Sequence, residues 1–124
     1  MYTVRVEADF AAAHFLKDYH GKCENLHGHN YRVRLWARGK DLDGGGMLLD
    51  FALLKNRLRE VCSALDHSNL NEHPAFGDNP SAERIARHVF RECSRALSPE
   101  AAALLWAADV YETPGSMARY ERDG

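Results

Sequence analysis

Asn30-Tyr31-Arg32-Val33-Arg34-Leu35-Trp36-Ala37-Arg38 sets Tyr31, Val33, Leu35 and Ala37 against Arg32, Arg34, Trp36 and Arg38. A period of two marks a strand with one face buried. Carried back in the same phase, the strand places His27 and His29 on one face, and Gly28 between them leaves room for close approach. Upstream, the stretch from about Tyr2 to His14 also alternates, with Val4, Val6, Ala8 and Phe10 against Thr3, Arg5, Glu7 and Asp9. Antiparallel pairing of the two strands brings His14 beside His27 and His29.

The chemistry sits at the start of the second strand, in Cys23-Glu24-Asn25-Leu26-His27-Gly28-His29, a C-x3-H-x-H cluster. A catalytic zinc takes three protein ligands and keeps a fourth position open. His14, His27 and His29 are therefore the expected metal site and Zn2+ the expected ion, although three imidazoles also suit other divalent cations. Cys23 has two readings: a reactive thiol beside the metal, or a fourth ligand that closes a structural site. His20, His73 and His88 lack such a context and read as ordinary surface or helix histidines.

The 124 residues suffice for one domain, residues 1–124, around one core. With 45% hydrophobic and 27% charged residues the composition is that of a globular chain. A net charge of −2 and the lack of a basic stripe argue against a nucleic-acid partner. No apolar run is long enough to span a membrane, and no signal peptide is read at the start. Cys23, Cys62 and Cys93 form an odd set without framework spacing, and free thiols suit a reducing, cytoplasmic compartment. Cys62 and Cys93 fall in helical apolar patterns and read as small buried hydrophobes.

After the second strand, Gly39 to Gly46 is a loop; its glycines lack the G-K-[ST] of a phosphate-binding loop. Asp50 is the expected cap of a helix whose apolar face is Phe51, Leu54, Leu58, Val61 and Leu65, ending at Asp66. Asn79 as cap and Pro80 at the first helical position open a second helix, with Ala82, Ile85, Ala86, Val89, Phe90 and Cys93 facing inward. Ser98-Pro99-Glu100 reads as another helix start. A strand around Trp106, Ala108 and Val110, a turn at Gly115 and a final strand from Ser116 to Arg122 complete the chain. The order predicts an α+β fold: a four-stranded antiparallel sheet with two helices on one face. Few apolar residues are left to cover the other face, so subunit association is expected.

Ala12-Ala13-His14, Cys23-x3-His27-Gly28-His29, Leu49-Asp50-Phe51, Leu65-Asp66-His67-Ser68-Asn69-Leu70-Asn71, Asn79-Pro80-Ser81-Ala82-Glu83 and Glu112-Thr113 follow one another along nearly the whole chain. In this order they resemble the 6-pyruvoyl-tetrahydropterin synthase superfamily, and within it the bacterial 6-carboxy-5,6,7,8-tetrahydropterin synthases of queuosine biosynthesis. The three-residue gap between Cys23 and His27 resembles the carboxy-forming type; pyruvoyl-forming enzymes tend to have a longer one. Relatives often read Pro-Thr-Ser-Glu or Thr-Thr-Glu where this chain has Pro80-Ser81-Ala82-Glu83.

The resemblance implies the tunnelling fold, a ββααββ unit. It also implies a closed ring, commonly a hexamer of two stacked trimers, with active sites between subunits. The implied substrate is 7,8-dihydroneopterin triphosphate, and the products are 6-carboxy-5,6,7,8-tetrahydropterin, acetaldehyde and triphosphate. By the same resemblance zinc sits on His14, His27 and His29, and Cys23 is the general base. Asp66 and His67 form a proton relay. Glu112 anchors the pterin through its 2-amino and ring N–H groups and joins the relay. Ser81 and Glu83 belong to the substrate pocket, while Lys22, Arg84 and Arg119 are available for the triphosphate. A pyruvoyl-type synthase, a side-chain-cleaving aldolase and a non-catalytic zinc- or pterin-binding module are the alternatives.

Overall fold

The computed structural model describes residues 1–17, 21, 24–77 and 79–123. Two thirteen-residue strands, β1 (Tyr2–His14) and β2 (His27–Gly39), pair antiparallel from Tyr2↔Gly39 to His14↔His27. Helix α1 (Phe51–Leu65) follows, then β3 (Ser68–Asn69) and two 3-10 turns, Leu70–Glu72 and Pro74–Phe76. Helices α2 (Ala82–Ala96) and α3 (Pro99–Ala102) lead to β4 (Leu105–Thr113) and β5 (Ser116–Glu121). The alternation decides which face of the sheet is inside: Tyr31, Val33, Leu35 and Ala37 are fully buried with Val6, Phe10 and Ala12 beneath the helices. Each large apolar side chain taken out of water there contributes about 1.5–3 kcal/mol.

The helices close this face. Asp50 caps α1 by accepting from the Ala52 N–H, and Leu54, Leu58, Val61, Cys62 and Leu65 pack inward. Phe51, expected on that apolar face, instead stands 57% exposed. On α2 the six expected residues, Ala82, Ile85, Ala86, Val89, Phe90 and Cys93, are all buried. None of the described helices is long and apolar enough to cross a membrane.

Two further features differ from the sequence reading, the sheet and the start of α2. The sheet has five strands, not four, and is mixed, in the order β3-β1-β2-β4-β5. The added β3 pairs parallel with β1 through Ala12↔Ser68 and Ala13↔Asn69; two residues carry no periodicity to read. The helix start read at Ser98-Pro99-Glu100 is found as the short α3, capped by Ser98 with Pro99 in its first turn. Helix α2 starts later than expected, with Ser81 as its cap accepting from the Arg84 N–H. Asn79 does not cap it because its side-chain amide is bound to the Lys17 backbone.

The helix-free face carries ions and aromatic rings. Asp109 is fully buried, its carboxylate accepting twice from Arg119 (2.6 and 3.0 Å) and once from Trp36 Nε1 (2.8 Å). The Arg119 guanidinium also lies over Trp36 and Trp106. Removing one member of a buried pair leaves the other uncompensated. Arg119→Ala, which leaves the buried Asp109 carboxylate without its cation, is therefore expected to destabilise the fold by about 3 kcal/mol, as measured by urea unfolding; a loss within 0.5 kcal/mol (about the scatter of a surface substitution) would refute this role.

Candidate active site

The register that builds the core also places His14 opposite His27 and Ala12 opposite His29. All three imidazoles therefore lie on the helix side, at the end of the β1–β2 ladder. One ring nitrogen from each lies within 4.8 Å of the others. The ring centroids are 4.6 Å apart for His14–His27, 4.8 Å for His27–His29 and 5.1 Å for His14–His29.

Backbone carbonyls fix which nitrogen is available. His14 Nδ1 is 2.8 Å from the Pro80 carbonyl, and His27 Nδ1 is 2.7 Å from the Asn25 carbonyl. A carbonyl only accepts, so Nδ1 carries the hydrogen and Nε2 is left with its lone pair. His14 Nε2 and His29 Nε2 are buried without a hydrogen-bond partner. Burial, more than any other influence, holds His29 below its ordinary range; the His14 and His27 neighbours act in the same direction and Glu112 opposes them. A neutral imidazole is the ligand form.

Glu112 completes the cluster. Its carboxylate oxygens lie 3.8 Å from His14 Nε2 and 3.9 Å from His29 Nε2. These distances are too long for hydrogen bonds, and a neutral His29 makes no ion pair. A carboxylate facing two imidazole lone pairs is an arrangement that a cation satisfies. A tetrahedral ion with nitrogens at about 2.0–2.1 Å wants them roughly 3.3 Å apart, a spacing small ring rotations can reach. The donor set thus fits a divalent metal. Below it, Tyr31 stacks on Phe10 at 4.8 Å and meets His14 and His29 edge-on. Burial, with a smaller contribution from Glu112, pushes the Tyr31 phenol far above its ordinary value, so it stays neutral.

Glu112 also opens into a cleft of about 460 Å3, walled by Leu16, Ser81, Ala82, Glu83 and Met117. The structure therefore brings together His14, His27, His29, Glu112, Ser81 and Glu83. Asp66 and His67 lie elsewhere. His67 Nδ1 is 2.7 Å from Asp66 Oδ2, and Asp66 Oδ1 accepts from the Ala11 N–H at 2.8 Å. The Ala11 N–H first, and then His67, hold the Asp66 carboxyl below its usual range. His67 has φ 55, the left-handed region that a non-glycine residue enters at a cost. That turn lets neighbouring side chains meet. The His67 ring is 84% exposed and shares a cleft with Ala11, Ala13, Gly28 and Asn30 of the helix-free face, and His29 also lines it. Cys23, His20 and Lys22 lie outside the described residues.

A family model described as 6-pyruvoyl tetrahydropterin synthase matches residues 3–123. The chain belongs to the 6-pyruvoyl tetrahydropterin synthase family. A 6-carboxy-5,6,7,8-tetrahydropterin synthase of Synechocystis sp. is 36% identical over 125 residues, covering 97% of this chain and 93% of that one. A 6-pyruvoyl tetrahydrobiopterin synthase of Poecilia reticulata is 34% identical over 134 residues, covering 96% and 88%. The structure of Caenorhabditis elegans 6-pyruvoyl tetrahydropterin synthase matches with a TM-score of 0.86 at 28% identity, over 98% of this chain and 96% of that one. The fold expected from the resemblance is the fold found, and the family is one of pterin synthases.

The sequence reading missed the carbonyl of Pro80 as the orienting partner of His14, because backbone acceptors leave no residue signal. Of the cations named for a triphosphate, Arg119 is held by Asp109. Arg84 Nη1 donates to the carbonyls of Phe76 and Asn79. Both already have partners.

His29 yields a pH prediction for the metal-free protein. With its folded value below 6.5, the unfolded chain binds the proton first as pH falls. Stability is level above about 6.5 and declines as pH drops from there towards the folded value. His88, lowered chiefly by burial and next by His73, acts in the same direction. The Tm of the metal-free protein should fall between about pH 7.5 and 5.5, and a His29→Gln, His88→Gln double variant should flatten the curve. An equally steep decline in the double variant would exclude these two groups as its source.

Proposed function

We propose that the chain is a zinc-dependent 6-carboxy-5,6,7,8-tetrahydropterin synthase. The reaction converts 7,8-dihydroneopterin triphosphate, with uptake of one water, to 6-carboxy-5,6,7,8-tetrahydropterin, acetaldehyde and triphosphate, in queuosine or related deazapurine biosynthesis. The observation that carries this reading is the convergence of three imidazoles, two of them facing Glu112, at the mouth of a cleft. Zinc held by His14, His27 and His29 would supply a Lewis acid for the oxyanion charge that develops on the substrate side chain.

The chain's own residues supply the rest. Glu112 offers two parallel acceptor oxygens, the complement of an amino group beside a ring N–H. It reaches both the imidazole cluster and the cleft, so a ring anchored there presents its side chain to the cluster. Ser81 and Glu83, at the first turn of α2, wall the same cleft. Cys23 is four residues before His27, and its thiolate is the proposed base. Asp66 orients His67 by a hydrogen bond, the logic of a proton relay.

Within one chain His67 and Glu112 line different clefts, which supports the reading that a second copy completes the site. The helix-free face and the edge strand β5 support a closed homo-oligomer, proposed as a hexamer of two trimers. The short Cys23–His27 spacing and the Synechocystis relative favour the carboxy-forming outcome; the Poecilia relative keeps the pyruvoyl-forming one as the second reading.

Incubation of zinc-loaded protein with dihydroneopterin triphosphate, followed by mass spectrometry, is expected to yield the carboxypterin and acetaldehyde. A pyruvoyl product would select the second reading, and no consumption of substrate would refute both. Cys23→Ser should keep zinc and lose turnover; loss of zinc would make Cys23 a ligand. Glu112→Gln replaces one acceptor by a donor and should lower kcat/KM by about 100-fold.

A further inference from the structure

Beyond the imidazoles, the segment Phe15–Lys17 has left the sheet, since the pairing of β1 with β2 ends at His14. Two asparagines from distant sequence take up its backbone. Asn71 Oδ1 accepts from the Phe15 N–H at 2.8 Å, and Asn71 Nδ2 donates to the Phe15 carbonyl at 2.9 Å. Asn79 Oδ1 accepts from the Lys17 N–H at 2.6 Å, and Asn79 Nδ2 donates to the Lys17 carbonyl at 3.2 Å. A primary amide carries one acceptor and a donor, as a peptide group does. Each asparagine thus makes the two-point contact that a neighbouring strand would make, and at alternate residues, as a strand does.

We propose that Asn71 and Asn79 are positioning residues, side-chain latches that fix Phe15–Lys17 and through it the His14 imidazole and the Leu16 wall of the Glu112 cleft. The proposal rests on the reading of His14 as a metal ligand. Both latches are themselves braced. Asn71 lies in the 3-10 turn beside the buried Leu70, and its N–H donates to Asn69 Oδ1 at 3.1 Å. The Asn79 carbonyl accepts from the Ser81 N–H at 2.9 Å and from Arg84 Nη1 at 3.3 Å. Between Asn79 and Ser81, Pro80 gives its carbonyl to His14 Nδ1. One short stretch therefore grips the beginning of His14–Lys17 at His14 and its end at Lys17, while Asn71 holds Phe15 between them. Ser81, the next residue, walls the cleft with Leu16 and Glu112. Without the latches, His14 keeps its rung on β2 and the Pro80 carbonyl, but the chain that leaves it loses the two-point contacts at Phe15 and Lys17.

The test compares zinc affinity, by chelator competition with zinc alone, in wild type, Asn71→Ala, Asn79→Ala and Asn79→Asp, with the metal-free Tm of each. Loss of a group that orients a ligand lowers metal affinity about 10- to 100-fold, and each Ala variant is expected to lose about 10-fold. Asn79→Asp keeps the acceptor for the Lys17 N–H and loses the donor, so its affinity should fall between wild type and Asn79→Ala. Asn56→Ala, on the exposed side of α1, should change nothing. KM should rise more than kcat falls for the cleft-wall effect of Leu16. A purely structural role predicts a lower Tm with unchanged zinc affinity; affinities of both Ala variants within twofold of wild type overturn the latch. If the Ala variants do not fold, Asn79→Asp decides, and wild-type affinity there overturns it. Wild-type protein that binds no zinc overturns it as well. Protein that loses zinc affinity as expected but consumes no pterin triphosphate supports the latch and refutes the synthase reading.

Discussion

The antiparallel register of β1 and β2 is the constraint on which the rest of the molecule depends. It sets Val6, Phe10, Ala12 and His14 on one face with Tyr31, Val33 and Leu35. A slip of one residue would turn Arg32 and Arg34 under the helices and His27 and His29 onto the opposite face. Burying two unpaired guanidinium groups is prohibitive, so the core alone enforces the register. The convergence of imidazoles then follows without further cost, because His14, His27 and His29 continue the buried phase to the end of the ladder. Metal geometry here is a consequence of core packing.

What the register does not supply is the state of each ring. Neighbouring backbone does that, through the carbonyls of Pro80 and Asn25. Both are obligate acceptors, which leaves the Nε2 lone pairs facing one another and Glu112. Burial favours the neutral form of His29, and Glu112 brings a carboxylate up to the rings. The two described thiols, Cys62 and Cys93, are buried and pushed up to about 12, chiefly by that burial. Both stay protonated and offer no soft ligand in competition with the imidazoles.

Most of this was legible in the sequence where periodicity carries the signal. The alternation over Asn30–Arg38 gave the buried face of β2, and the spacing from Leu54 to Leu65 gave the inner face of α1. The three imidazoles were legible for the same reason, since they extend a strand pattern. Three things were not. The strand β3 is too short to show a period. The start of α2 was misread because Asn-Pro is a strong helix-opening pair, yet the Asn79 amide is bound to Lys17, 62 residues earlier. The burial of Asp109 depends on Arg119 and Trp36 reaching it across three strands, which no local pattern encodes.

The sheet is also a barrier, and this shapes the chemistry that the proposed site can perform. Glu112, Ser81 and Glu83 share a cleft on the helix side, whereas His67, held by Asp66, lines a second cleft with Ala11, Ala13 and Asn30 of the helix-free face. The imidazole cluster sits where the β1–β2 ladder ends, at the rim between the two faces. A ligand anchored on Glu112 therefore meets the cluster directly and meets His67 only around that rim. Proton transfer needs heavy atoms within about 2.6–3.2 Å or one bridging water. A relay through His67 thus calls for a site assembled at the rim, with the helix-free face covered by another chain. The hydrogen bonds and ring contacts around Asp109 already hold Arg119 and Trp36 in place, and side chains held beforehand lose little conformational entropy when such a surface docks.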